Sequence, residues 1–170
     1  MKVLLHTCCA DCALKIIATV GNNVTLFYYN PNIHPRAEYQ SRLAAVKKIA
    51  LENKIKLIVP DWKPDEYFER VKNDGDRCKN CWYLRIIKTA EYAKENGFEQ
   101  FSTTLLSSKY QNRITIEKMA KEIGGEGGVE FLKIENINRE MKTSGFYKQF
   151  FCGCCYSLTE RFEEKYGKTK

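Results

Sequence analysis

No stretch of this sequence approaches the roughly 20 consecutive apolar residues that a membrane-spanning helix needs. The opening residues, Met1-Lys2-Val3-Leu4-Leu5-His6, lack the long apolar region and cleavage site of a secretory signal. These absences predict a cytoplasmic protein with no membrane partner. No internal repeat, low-complexity tract or long linker divides the 170 residues, and only four of them are proline. A chain of this length hides about two-thirds of its unfolded surface, so it needs neither disulfides nor metals merely to fold. A single domain over residues 1–170 is therefore expected.

Two features are abundant instead. The formal charge is +7, from 28 Lys+Arg against 21 Asp+Glu, and such an excess favours a polyanionic partner. Eight cysteines are also present. That is many for a reducing compartment, where structural disulfides are rare and clustered thiols more often bind metal or do redox work.

Hydrophobic patterning predicts strands over 2–5, 24–29, 56–59, 100–104 and 129–134, and helices over 12–20, 37–53, 65–72, 80–96, 112–123 and 154–166. Gly124-Gly125 is read as the stop of the fifth helix. Strands alternating with helices give right-handed βαβ units. The expected fold is one Rossmann-like α/β domain, a five-stranded, mostly parallel sheet flanked by helices, with a helical carboxyl-terminal segment. Such sheets bind ligands at the carboxyl ends of their strands, near the switch in strand order. The loops after strands one and four, His6 to Cys12 and Thr103 to Tyr110, belong at that edge.

The cysteines fall into three groups: Cys8/Cys9/Cys12, Cys78/Cys81 and Cys152/Cys154/Cys155. Thiolates hold both structural zinc and iron–sulfur clusters. Cys8, Cys9, Cys78 and Cys81 would supply a four-thiolate set. A closed zinc site, with the other thiols simply buried, is the alternative. Asp11 and Cys12 are candidate ligands of a further metal, although Asp11 also suits a helix cap. Cys152-Gly153-Cys154 places two thiols very close. A disulfide there would be strained and easily reduced, which suits a redox pair, and two more metal ligands is the competing reading. Cys155 has no assigned role. His6, Asp11, Cys12 and Tyr110 are candidates for binding a second metal or delivering protons, with a buried, hydrogen-bonded imidazole the plainer reading of His6.

Several separated motifs resemble those of the QueH-type epoxyqueuosine reductases over nearly the whole chain. They are His6-Thr7-Cys8-Cys9-Ala10-Asp11-Cys12; Tyr29 to Pro35 with Glu38, Tyr39 and Arg42; Arg77-Cys78-Lys79-Asn80-Cys81; Thr103-Thr104-Leu105 with Ser107-Ser108-Lys109-Tyr110; and Gln149-Phe150-Phe151-Cys152-Gly153-Cys154. Asp11 and Lys109 stand where the family usually has proline, and Lys148 where it has arginine. The resemblance implies a cytoplasmic oxidoreductase that converts epoxyqueuosine at the tRNA wobble position to queuosine, without cobalamin. It implies a [4Fe-4S] cluster and an adjacent mononuclear iron, with an external electron donor. On this reading Cys8, Cys9, Cys78 and Cys81 hold the cluster, Asp11 and Cys12 are candidate ligands of the additional iron, and Cys152 and Cys154 are catalytic, storing the electron pair. A zinc-stabilised nucleic-acid-binding module and a tRNA sulfur-transfer enzyme are the rival functions. The second would want a glycine-rich phosphate loop after strand one, where bulky Cys-Cys-Ala-Asp-Cys stands instead.

Overall fold

The structure, a computed structural model, describes residues 2–72, 75–109 and 111–167. Five strands, β1 (Val3–His6), β2 (Val24–Phe27), β3 (Leu57–Ile58), β4 (Gln100–Thr103) and β5 (Glu130–Phe131), form one sheet in the order β3-β2-β1-β4-β5. Every pairing is parallel. Helices α1 (Ala10–Val20), α2 (Arg36–Glu52), α3 (Pro64–Val71), α4 (Arg77–Glu95), α5 (Arg113–Gly127) and α6 (Cys155–Tyr166) complete the described chain. No helix among the described residues is long and apolar enough to cross a membrane.

The sheet is parallel throughout rather than mostly so, and its sequence explains why. A parallel strand covered by helices on both faces reads as a continuous apolar run, and all four residues of β1 are buried. The expected long strands β2 and β5 are shorter. The chain beyond Phe27 leaves the ladder, although Tyr28 N–H still donates to the Ile58 carbonyl at 2.9 Å and both Tyr28 and Tyr29 remain buried.

Two helix boundaries differ from the reading of the sequence by three residues or more. Helix α4 starts at Arg77, three residues before the expected position, because the Asp76 carboxylate accepts from the Lys79 N–H at 3.0 Å and caps it. Helix α5 runs through Gly124-Gly125 and stops at Gly128, which takes a left-handed conformation. Gly124 is there for close approach: a Cβ at that position would sit 2.7 Å from the Val129 carbonyl oxygen and 3.2 Å from the Phe101 ring.

The strand order fixes where a crevice opens. From β1 the chain builds outward to β2 and β3, then crosses to β4 and β5 on the other side. The segments leaving β1 and β4 therefore diverge at the carboxyl edge, with His6 level with Thr103.

Candidate active site

At that divergence lies the first cysteine group. Cys8 follows the end of β1, and its N–H donates to Thr104 Oγ1 at 3.3 Å, tying the loop to the 3-10 turn Thr104–Ser107 after β4. Ser107 Oγ donates to the Cys12 carbonyl at 3.1 Å. The two loops expected at one edge of the sheet are thus joined directly. Cys9 caps α1 with its sulfur, which accepts from the Cys12 N–H at 3.4 Å; Asp11 is therefore a first-turn residue and not the cap. The sulfurs of Cys8, Cys9 and Cys12 are buried and lie within 4.8 Å of one another, a grouping able to hold a metal ion. Contacts with Cys12 and Cys9 pull the Cys8 thiol well down; contacts with Cys12 and Cys8 push Cys9 up, and the contact with Cys8, with burial, pushes Cys12 up against an opposing contact with Cys9.

The second and third groups meet in a cavity of about 210 Å³. Cys78 and Cys81, in the first turns of α4, share its wall with Cys152 and Cys154, and with Tyr67, Trp82 and Arg85. Burial raises the Cys81 thiol to about 11, opposed by the Arg85 charge. Cys152 and Cys154 are free thiols with sulfurs 3.7 Å apart. The contact with Cys154 draws Cys152 down to about 5 and pushes Cys154 up, so Cys152 ionises first and Cys154 keeps its proton. Cys154 Sγ also accepts from the Ser157 N–H at 3.3 Å and caps α6, as Cys9 caps α1.

One cation connects the groups. Arg85 is 2% exposed, and its Nε donates to the Cys81 carbonyl one helical turn back at 3.1 Å. Burial opposes its charge, but Cys81, Cys8 and Cys152 outweigh that and raise its pKa. Burying a guanidinium is costly unless anions surround it, so the surrounding thiols and this arginine stabilise each other's charged forms. Beside it, the Tyr67 hydroxyl is buried with no hydrogen-bond partner among the described residues and faces Cys154.

The terminal dithiol is held by a second buried arginine. Arg42, 1% exposed, donates from Nε to Glu38 Oε1 at 2.7 Å, from Nη1 to the Cys152 carbonyl at 3.0 Å and from Nη2 to the Phe151 carbonyl at 3.1 Å. His34 does the same from the loop after β2. Its N–H donates to the Gly153 carbonyl at 2.8 Å, its Nδ1 accepts from the Cys155 N–H at 3.4 Å, and its Nε2 donates to the Pro31 carbonyl at 2.9 Å. His34 therefore ties its own loop to the Cys-Gly-Cys turn. Gly153 has φ of +129°, and a Cβ there would meet Ile33 at 3.0 Å and Arg42 Nη1 at 3.3 Å. Only glycine fits.

The remaining candidates divide. His6 is fully buried, its Nε2 donating to the Tyr29 carbonyl at 3.1 Å and its Nδ1 accepting from Thr103 Oγ1 at 2.9 Å. Burial, then Arg85, depresses it to about 4. With both ring nitrogens engaged, His6 is a buried neutral imidazole. Asp11 accepts from Thr143 Oγ1 at 2.5 Å and pairs with Lys15 at 2.9 Å and Lys148 at 3.7 Å. Trp82 packs in the cavity wall and donates from Nε1 to Gln111 Oε1 at 2.5 Å. Tyr110 lies outside the described residues. Arg85 lies one helical turn past Cys81 on α4, whereas Tyr67 lies on α3, which carries no cysteine, and nothing in the sequence points to it.

Comparison with known proteins gives the family. The family described as Epoxyqueuosine reductase QueH matches residues 3–160. A protein of that name from Dehalococcoides mccartyi is 38% identical over 95% of this chain and 94% of its own length. Those from Thermotoga maritima and Acinetobacter baylyi are 36% and 33% identical, over 95% and 99% of this chain and 93% and 87% of their own lengths. The matched span holds all eight cysteines, the two buried arginines and the crevice at the switch in strand order, and on these findings the chain belongs to the QueH family of epoxyqueuosine reductases, which are oxidoreductases.

Proposed function

We propose that this protein reduces the epoxide of epoxyqueuosine, carried at the wobble position of tRNA, to the cyclopentene of queuosine, as a single catalytic domain in the cytoplasm. The observation that carries the reading is the meeting of a close dithiol, a cysteine pair and a buried arginine in one cavity, beside a second buried thiol group. The reaction takes up two electrons and two protons, breaks both C–O bonds of the epoxide, forms the alkene and releases water. Cys152 and Cys154 balance it: the Cys152 thiolate and the Cys154 thiol give up two electrons as one S–S bond forms, the Cys154 S–H supplies one proton and solvent the other, and an external reductant restores the pair.

The donor set fits an iron–sulfur centre. Its sulfurs are soft ligands, buried at Cys8, Cys9 and Cys81 and exposed at Cys78, and Cys8 gives up its proton readily. Cys8, Cys9, Cys78 and Cys81 would hold a [4Fe-4S] cluster. Of the two candidates for an adjacent iron, Cys12 has its sulfur among other thiols, whereas Asp11 is engaged by Lys15, Thr143 and Lys148. When bound, such a centre supplies one-electron transfer, and an iron with an open position supplies Lewis acidity. The chain's own residues do the rest. Arg85 offsets the negative charge of the thiolates, and Arg42 with His34 fixes the dithiol at the cavity wall. Tyr67 Oη holds a proton at the cavity, in reach of Cys154. Trp82 and the wall around it exclude water.

The test is direct. Anaerobically reconstituted protein is incubated with epoxyqueuosine-containing tRNA and a reductant, and the nucleosides are digested and weighed. Loss of one oxygen atom from the modified nucleoside, without added cobalamin, is expected; an unchanged nucleoside beside a fully loaded protein overturns the reading. The zinc-module alternative predicts a colourless protein that holds zinc and no labile sulfide.

A further inference from the structure

A second opening of about 530 Å³ abuts the first thiol group, with Cys12 in its wall. Five cations line it: Lys15, Lys109, Arg139, Lys142 and Lys148, against the carboxylates of Asp11 and Glu140. Asp11 does not face outward as free negative charge, because Lys15, Thr143 and Lys148 surround it. That hub has a structural effect too. It binds the irregular segment carrying Thr143 and Lys148 to the first turn of α1, while Arg139 Nη2 donates to the Leu106 carbonyl at 2.8 Å and ties the same segment to the turn after β4. The cleft is thus walled by three chain segments fixed to one another, and Lys109, Lys142 and Lys148 stand exposed along it.

We propose that this cleft binds backbone phosphodiesters of the anticodon loop, next to the reacting nucleotide. The inference rests on the proposed tRNA substrate. In a single-stranded loop the phosphates flanking a nucleotide are one sugar away from it, so a nucleotide reduced at the thiols brings its neighbouring phosphates to the surface around them. The cleft abuts Cys12 and carries a net excess of three positive charges among its lining residues. Lysine serves such contacts as a point charge on a flexible stem, and releasing counterions from the RNA supplies the affinity. One of these positions, Lys109, also stands where the motifs this chain resembles carry proline, so part of this cationic wall belongs to this sequence in particular.

The experiment measures binding of an unmodified anticodon stem–loop RNA to the full-length protein across a salt series. The proteins are wild type, Lys109→Gln/Lys142→Gln, and Lys118→Gln/Lys121→Gln on the outer face of α5. Each lost phosphate contact on single-stranded RNA removes about 0.7 from the slope of log affinity against log salt. The cleft pair should therefore flatten the slope by about 1.4 and weaken binding at low salt, while the α5 pair leaves both near wild type. Thermal melting confirms folding, and the single variants Lys109→Gln and Lys142→Gln, each at an exposed position, give half the effect should the pair misfold. An unchanged slope in the cleft variants, or an equal flattening by the α5 pair, overturns the proposal. Binding is read without turnover, so the two readings fail separately. A cleft that binds RNA in a protein unable to reduce epoxyqueuosine leaves the cleft and removes the function; an active protein indifferent to the cleft lysines does the reverse.

Discussion

Arg42 shows how much can rest on one side chain. Its guanidinium reaches a carboxylate on its own helix and two carbonyls about 110 residues away. Arg42→Met should leave Glu38 without its buried partner and destabilise the fold by about 3–5 kcal/mol, read as a lowered urea midpoint. Alkylation of Cys152 should also become faster, because its carbonyl anchor is gone. Arg42→Lys should recover little, since one ammonium cannot span three acceptors in fixed directions. An unchanged midpoint with unchanged Cys152 reactivity would remove the clamp from the account. At Gly153 a side chain meets both a positive φ and Ile33, so Gly153→Ala should destabilise by about 1–3 kcal/mol; wild-type stability would contradict the close approach. Residue by residue, the thiols were legible in the sequence because cysteine clusters are rare and chemically distinctive. The burial of the arginines was not. Arg42 falls within a motif and Arg85 lies one turn past Cys81, yet nothing in one dimension shows that either is buried, and only the folded path brings carbonyls and thiols to them.

At the scale of the element, α5 carries a paired prediction. Gly124→Ala pushes a methyl group against the Val129 carbonyl, between helix and sheet, and should destabilise by about 1–3 kcal/mol. Gly125→Ala meets open space in a helical position and should stabilise by about 0.5–1 kcal/mol. Opposite signs in two adjacent glycines, read from urea unfolding, check that α5 continues through both; two losses of similar size would restore the helix stop expected from the sequence. That expectation erred because a Gly-Gly pair normally ends a helix, and here one of the two is required by packing instead. Helix α4 was misread in the opposite sense. Its pattern of apolar residues begins late, yet the Asp76 cap starts it at Arg77, and this earlier start puts Cys78 and Cys81 on its opening turns in the cavity wall. The alternation of strands and helices, by contrast, was plain, since each central strand is a short apolar run and each helix has its own periodicity.

For the molecule as a whole, the strand order β3-β2-β1-β4-β5 explains why residues from both ends of the chain converge. The switch beside β1 opens the crevice, and the terminal segment returns to it through Arg42 and His34. Sequence alone could place the first thiol group at that crevice, because it follows the first strand. It could not place the return of the terminal dithiol to α4, which depends on contacts between distant segments. The central claim is a division of labour among the thiols: those of α4 belong to the metal centre, and the terminal pair stores electrons. The most direct test is the iron-to-protein ratio of anaerobically purified variants. Cys152→Ser/Cys154→Ser should keep wild-type iron, sulfide and visible absorption while losing multiple turnover, and Cys78→Ser/Cys81→Ser should lose the iron. An iron-free, colourless Cys152→Ser/Cys154→Ser protein, or full iron in the Cys78→Ser/Cys81→Ser protein, would contradict the division.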